Sequence, residues 1–270
     1  MLLRRVTEHV KSQNWIAVAL DFIIVVVGVF IGIQVANWNE ARVDRETGEA
    51  YLLLVADEIE RQSESYSGSV EGAEDILARL ATVMAVTKAP EKAAEIHEEV
   101  FEAIYRSRFR SYFEPPASVY NGLETSGNIA LIQEAELLQR VRAHYTRVEG
   151  WNEVFAGLFD SYRNYANAVI SNLTVEELEK WRDRSSGEGL ASVEFSEEEA
   201  VAIAQRLAND PAVIRALPGI HEYHQGTLAI ANSMVQQAAD LANDIRRELG
   251  RVEDSQSGPT ANSQVDDAIE

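Results

Sequence analysis

The hydrophobic residues of this chain follow two patterns, one continuous and one periodic. Residues 15–38 form an apolar run in which Asp21 is the only ionisable side chain. A helix of this length extends about 36 Å, which exceeds the ~30 Å hydrocarbon core of a bilayer. Trp15 and Trp38 stand at its two ends, where amphipathic indoles favour the lipid headgroups. The run therefore predicts one transmembrane helix.

Beyond residue 38, apolar residues recur every three to four positions, and no stretch alternates for long enough to predict a β-strand. A long helix is predicted over 39–86, with a weak point at Ser67-Gly68. Proline, glycine and capping signals then predict further helices at about 91–108, 117–126, 129–149, 151–173, 175–184, 197–208 and 220–249. The predicted fold class is all-α: one N-terminal transmembrane helix followed by an extramembrane α-helical bundle over 39–250.

Local signals predict several of the helix ends. Gly127 is expected to end one helix in the left-handed conformation, and Asn128 to cap the next. Thr174 and Ser196 each precede a glutamate by three residues, the capping-box spacing that begins a helix. Breaks are expected at Gly150, at Leu217-Pro218-Gly219 and at Gly250.

The two ends of the chain carry different signals. Residues 1–14, with Arg4, Arg5 and Lys11, predict a short cytoplasmic interfacial segment. This excess of basic residues before the apolar run favours a cytoplasmic N-terminus and an exported bundle. The run is longer than the apolar core of a cleaved signal peptide, so we expect a retained anchor. Residues 251–270 are polar and without periodicity, which predicts a disordered tail.

Composition excludes several classes of partner and chemistry. The formal net charge is −20, and because residues 1–38 carry a net +1, the remaining residues carry −21. Such a surface repels nucleic acid, so no nucleic-acid partner is expected. The chain has no cysteine, which excludes disulfides and thiolate metal sites.

One face of the apolar run predicts helix association. Asp21, Val25, Gly28, Gly32 and Ala36 follow steps of three or four residues and so share a face. Two glycines four residues apart let helix backbones approach closely, and a carboxylate in lipid is costly unless it meets protein or water. The alternative is that Asp21 reaches back to the nearer interface.

The exit from the membrane has two interpretations. Trp15 at the entry, and Asn37, Trp38, Asn39 and Glu40 at the exit, are typical of an interfacial anchor that contacts lipid headgroups. The functional alternative is that the exit residues form a docking collar for another membrane protein.

Candidate chemistry in the rest of the sequence is sparse. Arg106, Arg108 and Arg110, interleaved with aromatic residues, are a candidate anion site, unless they pair with nearby carboxylates. His221 and His224 could contribute two metal ligands, but a site needs a third. The sequence contains no GxSxG, no HExxH and no GxxxxGK[ST]. No catalytic residue, enzymatic activity or cofactor is therefore predicted.

Three segments resemble an uncharacterised family of bacterial single-span membrane proteins. The first is the apolar run with its exit Gln34-Val35-Ala36-Asn37-Trp38-Asn39-Glu40, where the family commonly has Gln-x-Asn-Asn-Trp-Asn-Glu and an acidic residue, usually Glu, in place of Asp21. The second is the acidic helix over 51–59, and the third is the stretch 116–129, followed by a helix containing Tyr145. The resemblance covers residues 15–150. It implies a membrane-anchored helical domain and no activity. Together with the charge bias around the apolar run, it predicts a protein of the bacterial inner membrane whose bundle is periplasmic.

Three functions are compatible with these patterns. The first is an interaction or accessory subunit, which contacts membrane lipid and associates through its transmembrane helix with itself or with a larger membrane complex. The second is an extracytoplasmic, sensor-type bundle that binds a small ligand. The third, a hydrolase or metal enzyme, is supported only by the two histidines, and we therefore favour the first.

Overall fold

The computed structural model describes residues 15–112, 114–185 and 195–256, so the predicted segment 1–14 and residues 257–270 of the predicted tail lie outside it. All regular structure in the described residues is helical, which confirms the all-α class. The α-helices are α1 (Trp15–Lys88), α2 (His97–Arg106), α3 (Ser118–Ser126), α4 (Ala135–Ile170), α5 (Val175–Ser185), α6 (Glu197–Asn209) and α7 (Pro211–Gln256). Two 3₁₀ helices span Pro90–Ala94 and Asn128–Leu131.

Helix α1 is both the apolar segment and the central helix of the bundle. It continues for 74 residues through the exit from the apolar run and through the predicted weak point at Ser67-Gly68. At 1.5 Å per residue its length is about 110 Å. The first half of α1 is exposed and its second half is packed, so one continuous helix belongs to both parts of the molecule.

Helix α7 runs antiparallel along the packed half of α1. Ser63 of α1 donates a hydrogen bond to the carbonyl oxygen of Val235 (3.0 Å), and Arg246 pairs with Asp57 and Glu60 (2.7 Å each). Later residues of α7 therefore lie beside earlier residues of α1. The C-terminal end of α7 consequently returns toward the apolar segment.

The bundle has two hydrophobic clusters, one nearer to the apolar segment and one farther from it. The near cluster joins α1 to α4 and α7 through residues such as Leu52, Val141 and Ile245, all with 0% exposure. The far cluster joins α1 to α2, α4, α6 and α7, and in it Phe101 stacks on Phe195 with ring centroids 4.2 Å apart. Both clusters use the same side of α1.

Several predicted helix ends are wrong because packing overrides local signals. Gly150 lies inside α4, where Val148 and Phe155 are buried on either side of it. Pro218 lies inside α7 rather than at a break, and Leu217 and Ile220 are buried around it. Proline removes one hydrogen bond from a helix, but its φ remains helical, and the buried neighbours hold the two turns together. Helix α7 also continues past Gly250, to Gln256.

Other predicted ends differ in detail. The predicted helix 91–108 is a 3₁₀ turn followed by α2, and Asn128 lies within a 3₁₀ helix instead of capping α4, which begins at Ala135. Gly127 has φ 76°, which confirms the left-handed end of α3. The capping boxes at Thr174 and Ser196 are also confirmed. In each, the hydroxyl oxygen accepts a hydrogen bond from the backbone N–H of the glutamate three residues later, and that glutamate's carboxylate accepts one from the backbone N–H of the capping residue.

Gly48 is the first residue along α1 that the bundle buries. A Cβ atom at this position would lie 2.2 Å from the carbonyl oxygen of Leu131 and 2.9 Å from its carbonyl carbon. Both are backbone atoms of the second 3₁₀ helix, so they cannot rotate away as a side chain could. Only glycine allows this approach.

We expect Gly48→Ala to destabilise the bundle by about 1–3 kcal/mol, because the 3₁₀ helix must move away from α1. Gly68→Ala, on the same helix with no described heavy atom outside the helix's own backbone within 4 Å of its Cβ position, is the matched control. That control should gain up to about 1 kcal/mol from helix propensity. Thermal melting of the detergent-solubilised chain, followed by circular dichroism, measures both changes. Equal shifts in the two variants would contradict the close contact.

Candidate functional site

The first candidate site is the exposed half of α1. Every residue from Ala19 to Val43 is exposed, including Val25 at 63%, and α1 is the one described helix that is long and apolar enough to cross a membrane. No heavy atom of a described residue outside the helix's own backbone lies within 4 Å of a Cβ built on Gly28 or Gly32. The predicted association face is therefore uncovered along its whole length.

The continuity of α1 fixes how this face is oriented relative to the bundle. Gly28 and Val55 are 27 residues apart, which is about seven and a half turns at 3.6 residues per turn. Val55 is 1% exposed and packs into the near cluster. The bundle therefore lies on the opposite side of α1 from Gly28, and it leaves the association face open.

The hydrogen bonds at the exit run along α1 itself. Arg42 donates one hydrogen bond to Asn39 Oδ1 (3.2 Å) and another to Glu46 (2.9 Å), both along α1. Trp38 is 69% exposed. The structure thus leaves Trp38 free to contact lipid headgroups or a second protein, in agreement with either interpretation of the exit.

A buried carboxylate holds the first short helix of the bundle. Glu58 of α1 has 0% exposure and accepts hydrogen bonds from the backbone N–H groups of Val119 (2.7 Å) and Tyr120 (3.1 Å). The hydroxyls of Ser118 (3.3 Å) and Tyr145 (2.7 Å) donate to the same carboxylate. Helix α3 has no capping side chain of its own, so Glu58 satisfies its first N–H groups from another helix.

The residues around Glu58 also join three segments that are far apart in the sequence. Glu58 belongs to the stretch 51–59, its backbone donors belong to 116–129, and Tyr145 follows on α4. The Tyr145 ring stacks on the Tyr120 ring with centroids 3.9 Å apart. Burial, and then the bond to Glu58, raise the pKa of Tyr145, so this hydroxyl stays protonated and donates.

One turn after Glu58 on α1, Gln62 holds the proline segment, residues 115–116, which precedes α3. Its amide nitrogen donates to the carbonyl oxygen of Pro116, so its amide oxygen is left to accept from His144 Nε2 (2.7 Å). His144 is 3% exposed. Burial, followed by the nearby Arg147, lowers the pKa of His144 to about 4, which keeps the ring neutral at pH 7. Glu58 and Gln62 thus tie α1, the proline segment and α4 into one polar cluster.

The three arginines of the candidate anion site have different neighbours. Arg106 pairs with Glu102 (3.2 Å). The Arg108 guanidinium lies over the rings of Tyr105 (4.0 Å) and Phe109 (4.8 Å). Only Arg110 lines a groove, so the structure provides one cation there rather than three.

This groove is the second candidate site. It has a volume of about 630 Å³ and lies between α4, α7 and the segment that joins α2 to α3. Its aromatic residues are Tyr112, Phe155, Phe159 and Tyr223, and its charged residues are Arg110, Glu114, Glu149 and Glu153. Small-molecule pockets in proteins commonly measure roughly 300–1,000 Å³. The groove therefore has the size of a ligand site and a net negative lining.

The aromatic rings of the groove floor pack on one another. Tyr112 stacks on Phe155 with ring centroids 4.0 Å apart, and Phe155 meets Tyr223 edge to face at 5.8 Å. The Tyr112 hydroxyl donates to Asn152 Oδ1. Burial, and then the Glu114 carboxylate, raise the pKa of Tyr112 to about 12, so this hydroxyl is neutral at pH 7. The floor is thus uncharged and the charges lie at the rim.

The histidine pair does not gain a third ligand. His224 is fully buried and its Nδ1 is 2.7 Å from the hydroxyl oxygen of Ser111. His221, three residues earlier, is only partly buried. Within the residues that the structure describes, no group of three or more histidine, aspartate or glutamate side chains is placed to hold a metal ion.

Sequence reasoning missed Glu58, Gln62 and the groove for the same reason. Each depends on residues from separate helices, such as Glu58 and Val119, that only the folded bundle brings together. The available signal for Glu58 was its position on the side of α1 that carries the apolar residues Val55 and Ile59, which places a carboxyl group toward the core.

We expect Glu58→Gln to destabilise the bundle by about 1–3 kcal/mol, because the amide presents a donor to groups that are themselves donors. Glu64→Gln, an exposed position on the same helix, is the control and should change stability by less than about 0.5 kcal/mol. Thermal melting in detergent measures both. Two indistinguishable melting curves would show that Glu58 does not cap α3.

The neutral, buried His144 predicts a dependence of stability on pH. Its pKa is about 4 in the folded chain and about 6.5 in an unfolded one, so between pH 7 and pH 5 the unfolded chain binds a proton that the folded chain does not. Stability should therefore fall by about 2 kcal/mol over this interval. His144→Gln keeps a donor for Gln62 and removes the titration. The decrease in Tm from pH 7 to pH 5 should be smaller in this variant, and an equal decrease would contradict the assignment.

Comparison of the chain with known proteins identified no relative: no family model matches it, and neither a curated protein nor a solved structure matches it.

Proposed function

We propose that this chain is a single-span protein of the bacterial inner membrane that acts as a non-catalytic interaction or accessory subunit. Its N-terminus lies in the cytoplasm and its bundle in the periplasm. It associates through the face of α1 that contains Asp21, Gly28 and Gly32, either with itself or with a larger membrane complex.

The observation that supports this proposal is that the association face and the bundle lie on opposite sides of α1. Because the bundle packs on the side of α1 that contains Val55, a partner helix can approach Gly28 and Gly32 without meeting it. The apolar segment is exposed, and a surface of this size in water is unfavourable. Lipid and a partner helix together would cover it.

The chemistry of the face favours protein over lipid as its neighbour. A charged carboxylate in the hydrocarbon region costs a few kcal/mol, so Asp21 is more stable against a partner's polar group or water than against acyl chains. Glycines at 28 and 32 leave a shallow surface on which a second helix gains close packing. The exposed Trp38 then marks where such a pair leaves the hydrocarbon.

A second candidate function is binding of a small ligand by the bundle, and the groove between α4 and α7 favours it. The exposed side chains of Glu149 and Glu153 line the mouth of the groove, and stacked aromatic rings form its floor. This function is compatible with the first, since the groove and the association face are formed by different residues.

Association is tested by extracting a tagged full-length chain from its own membranes in mild detergent and identifying what co-purifies. We expect Gly28→Leu/Gly32→Leu to lose co-purifying protein at least several-fold, because the added side chains hold a partner helix away. Val26→Leu, about 160° around the helix from Gly28, is the matched control and should retain it.

Two results would contradict the proposal. One is that the double variant keeps every partner, including a differently tagged second copy. The other is that alkaline carbonate releases the wild-type chain from the membrane. The orientation is checked in the same cells with Ala130→Cys, a single exposed thiol in a chain without cysteine, which an impermeant maleimide should label from the periplasmic side.

A further inference from the structure

Asp21 carries an inference about the partner of the association face, and this inference rests on the proposed function. The Asp21 side chain is exposed, and no hydrogen bond or ion pair joins it to another residue that the structure describes. The bundle first buries α1 at Gly48, 27 residues later, which is about 40 Å along the helix. The bundle of the same chain is therefore too far away to supply a polar neighbour for this carboxylate.

In the proposed span, Asp21 also lies too deep to reach the nearer interface. It follows Trp15 by six residues, which is about 9 Å by helical rise. Lysine and arginine can bring a charge across such a distance because their stems have several methylene groups, whereas aspartate has one. A charged carboxylate at this depth is costly unless protein or water meets it. A polar group from another protein is thus the favourable neighbour.

We propose that the association face binds a span of a different membrane protein, and that this span has a lysine or arginine at the level of Asp21. Ionisable side chains inside membranes pair with one another, so a basic partner removes the cost of the exposed carboxylate. Gly28 lies seven residues after Asp21, about two turns, and therefore on the same side of α1. No described heavy atom outside the helix's own backbone lies within 4 Å of a Cβ built on Gly28 or Gly32, so a second helix can pack closely beside the charge pair.

Charge disfavours a second copy of this chain as the occupant. Copies inserted in the same membrane run parallel, so on this face each Asp21 would lie against the other. Like charges repel most strongly in a medium of low dielectric constant. Because residues 1–38 carry +1 of the net charge of −20, the rest of the chain carries −21, which also opposes the approach of two bundles. The acid in the span therefore selects a basic partner over a copy of itself.

Energy transfer in phosphatidylcholine vesicles tests this choice with two synthetic transmembrane peptides. Both are leucine-rich helices of about 20 residues, and one has a lysine about 9 Å from its end where the other has a leucine. The donor dye is on Ala130→Cys of the full-length chain and the acceptor is on the peptide. We expect the lysine peptide to bind at least tenfold more tightly than the leucine peptide. Gly28→Leu/Gly32→Leu should weaken binding of the lysine peptide several-fold, because the added side chains separate the helices.

Substitutions of Asp21 identify the charge as the cause. Asp21→Leu should remove the preference for lysine, and Asp21→Glu should keep it. Asp44→Leu is the matched control, since it removes a carboxylate from the same helix outside the apolar run, and it should also keep the preference.

Three results would overturn the inference. They are equal binding of the two peptides, a preference for lysine that persists in Asp21→Leu, and self-association of the chain that is tighter than its binding of the lysine peptide. The proposed function fails by a different result, which is that Gly28→Leu/Gly32→Leu keeps every co-purifying protein. Loss of those proteins in the glycine variant, without a preference for the lysine peptide, would overturn only the basic partner.

Discussion

The unbroken hydrogen-bond ladder of α1 is the constraint on which the rest of the molecule depends. In a continuous helix the angle between any two side chains is set by the number of residues between them. Gly28 and Val55 are therefore on opposite sides, and everything that packs around Val55 is kept away from Gly28. A flexible linker at the end of the apolar segment would lose this relation, because the bundle could then rotate over the predicted association face.

A second constraint is the buried charge of Glu58. A carboxylate without exposure is tolerated only when donors surround it, and Glu58 has four donors from three residues of α3 and one of α4. The two backbone N–H groups among them are fixed in direction, so α3 can dock in only one position. Gly48, ten residues earlier, fixes the neighbouring 3₁₀ helix by permitting backbone contact instead. Glu58 thus positions α3 through hydrogen bonds, and Gly48 positions the second 3₁₀ helix because it has no side chain.

The sequence predicts what depends on local signals. The helix over the apolar run, the all-α class, the left-handed Gly127 and the Ser196 capping box all follow from neighbouring residues and are confirmed. Pro218 was predicted to end a helix because its own preference is local, whereas the buried residues that carry α7 through it come from the whole fold. The same holds for the arginines, since nothing in their spacing indicates that Arg108 lies over the Tyr105 ring whereas Arg110 lines the groove.

The length of α1 has a mechanical consequence for the single-span arrangement proposed above. About 60 residues separate Gly28 from Lys88, a distance of roughly 90 Å along the helix axis. Spans adjust their tilt to the thickness of the bilayer. A change of 10° in tilt would move the far end of such a lever by about 16 Å by that helical rise. The lateral position of the bundle's outer end, with α6 and the first 3₁₀ helix, would thus report membrane thickness.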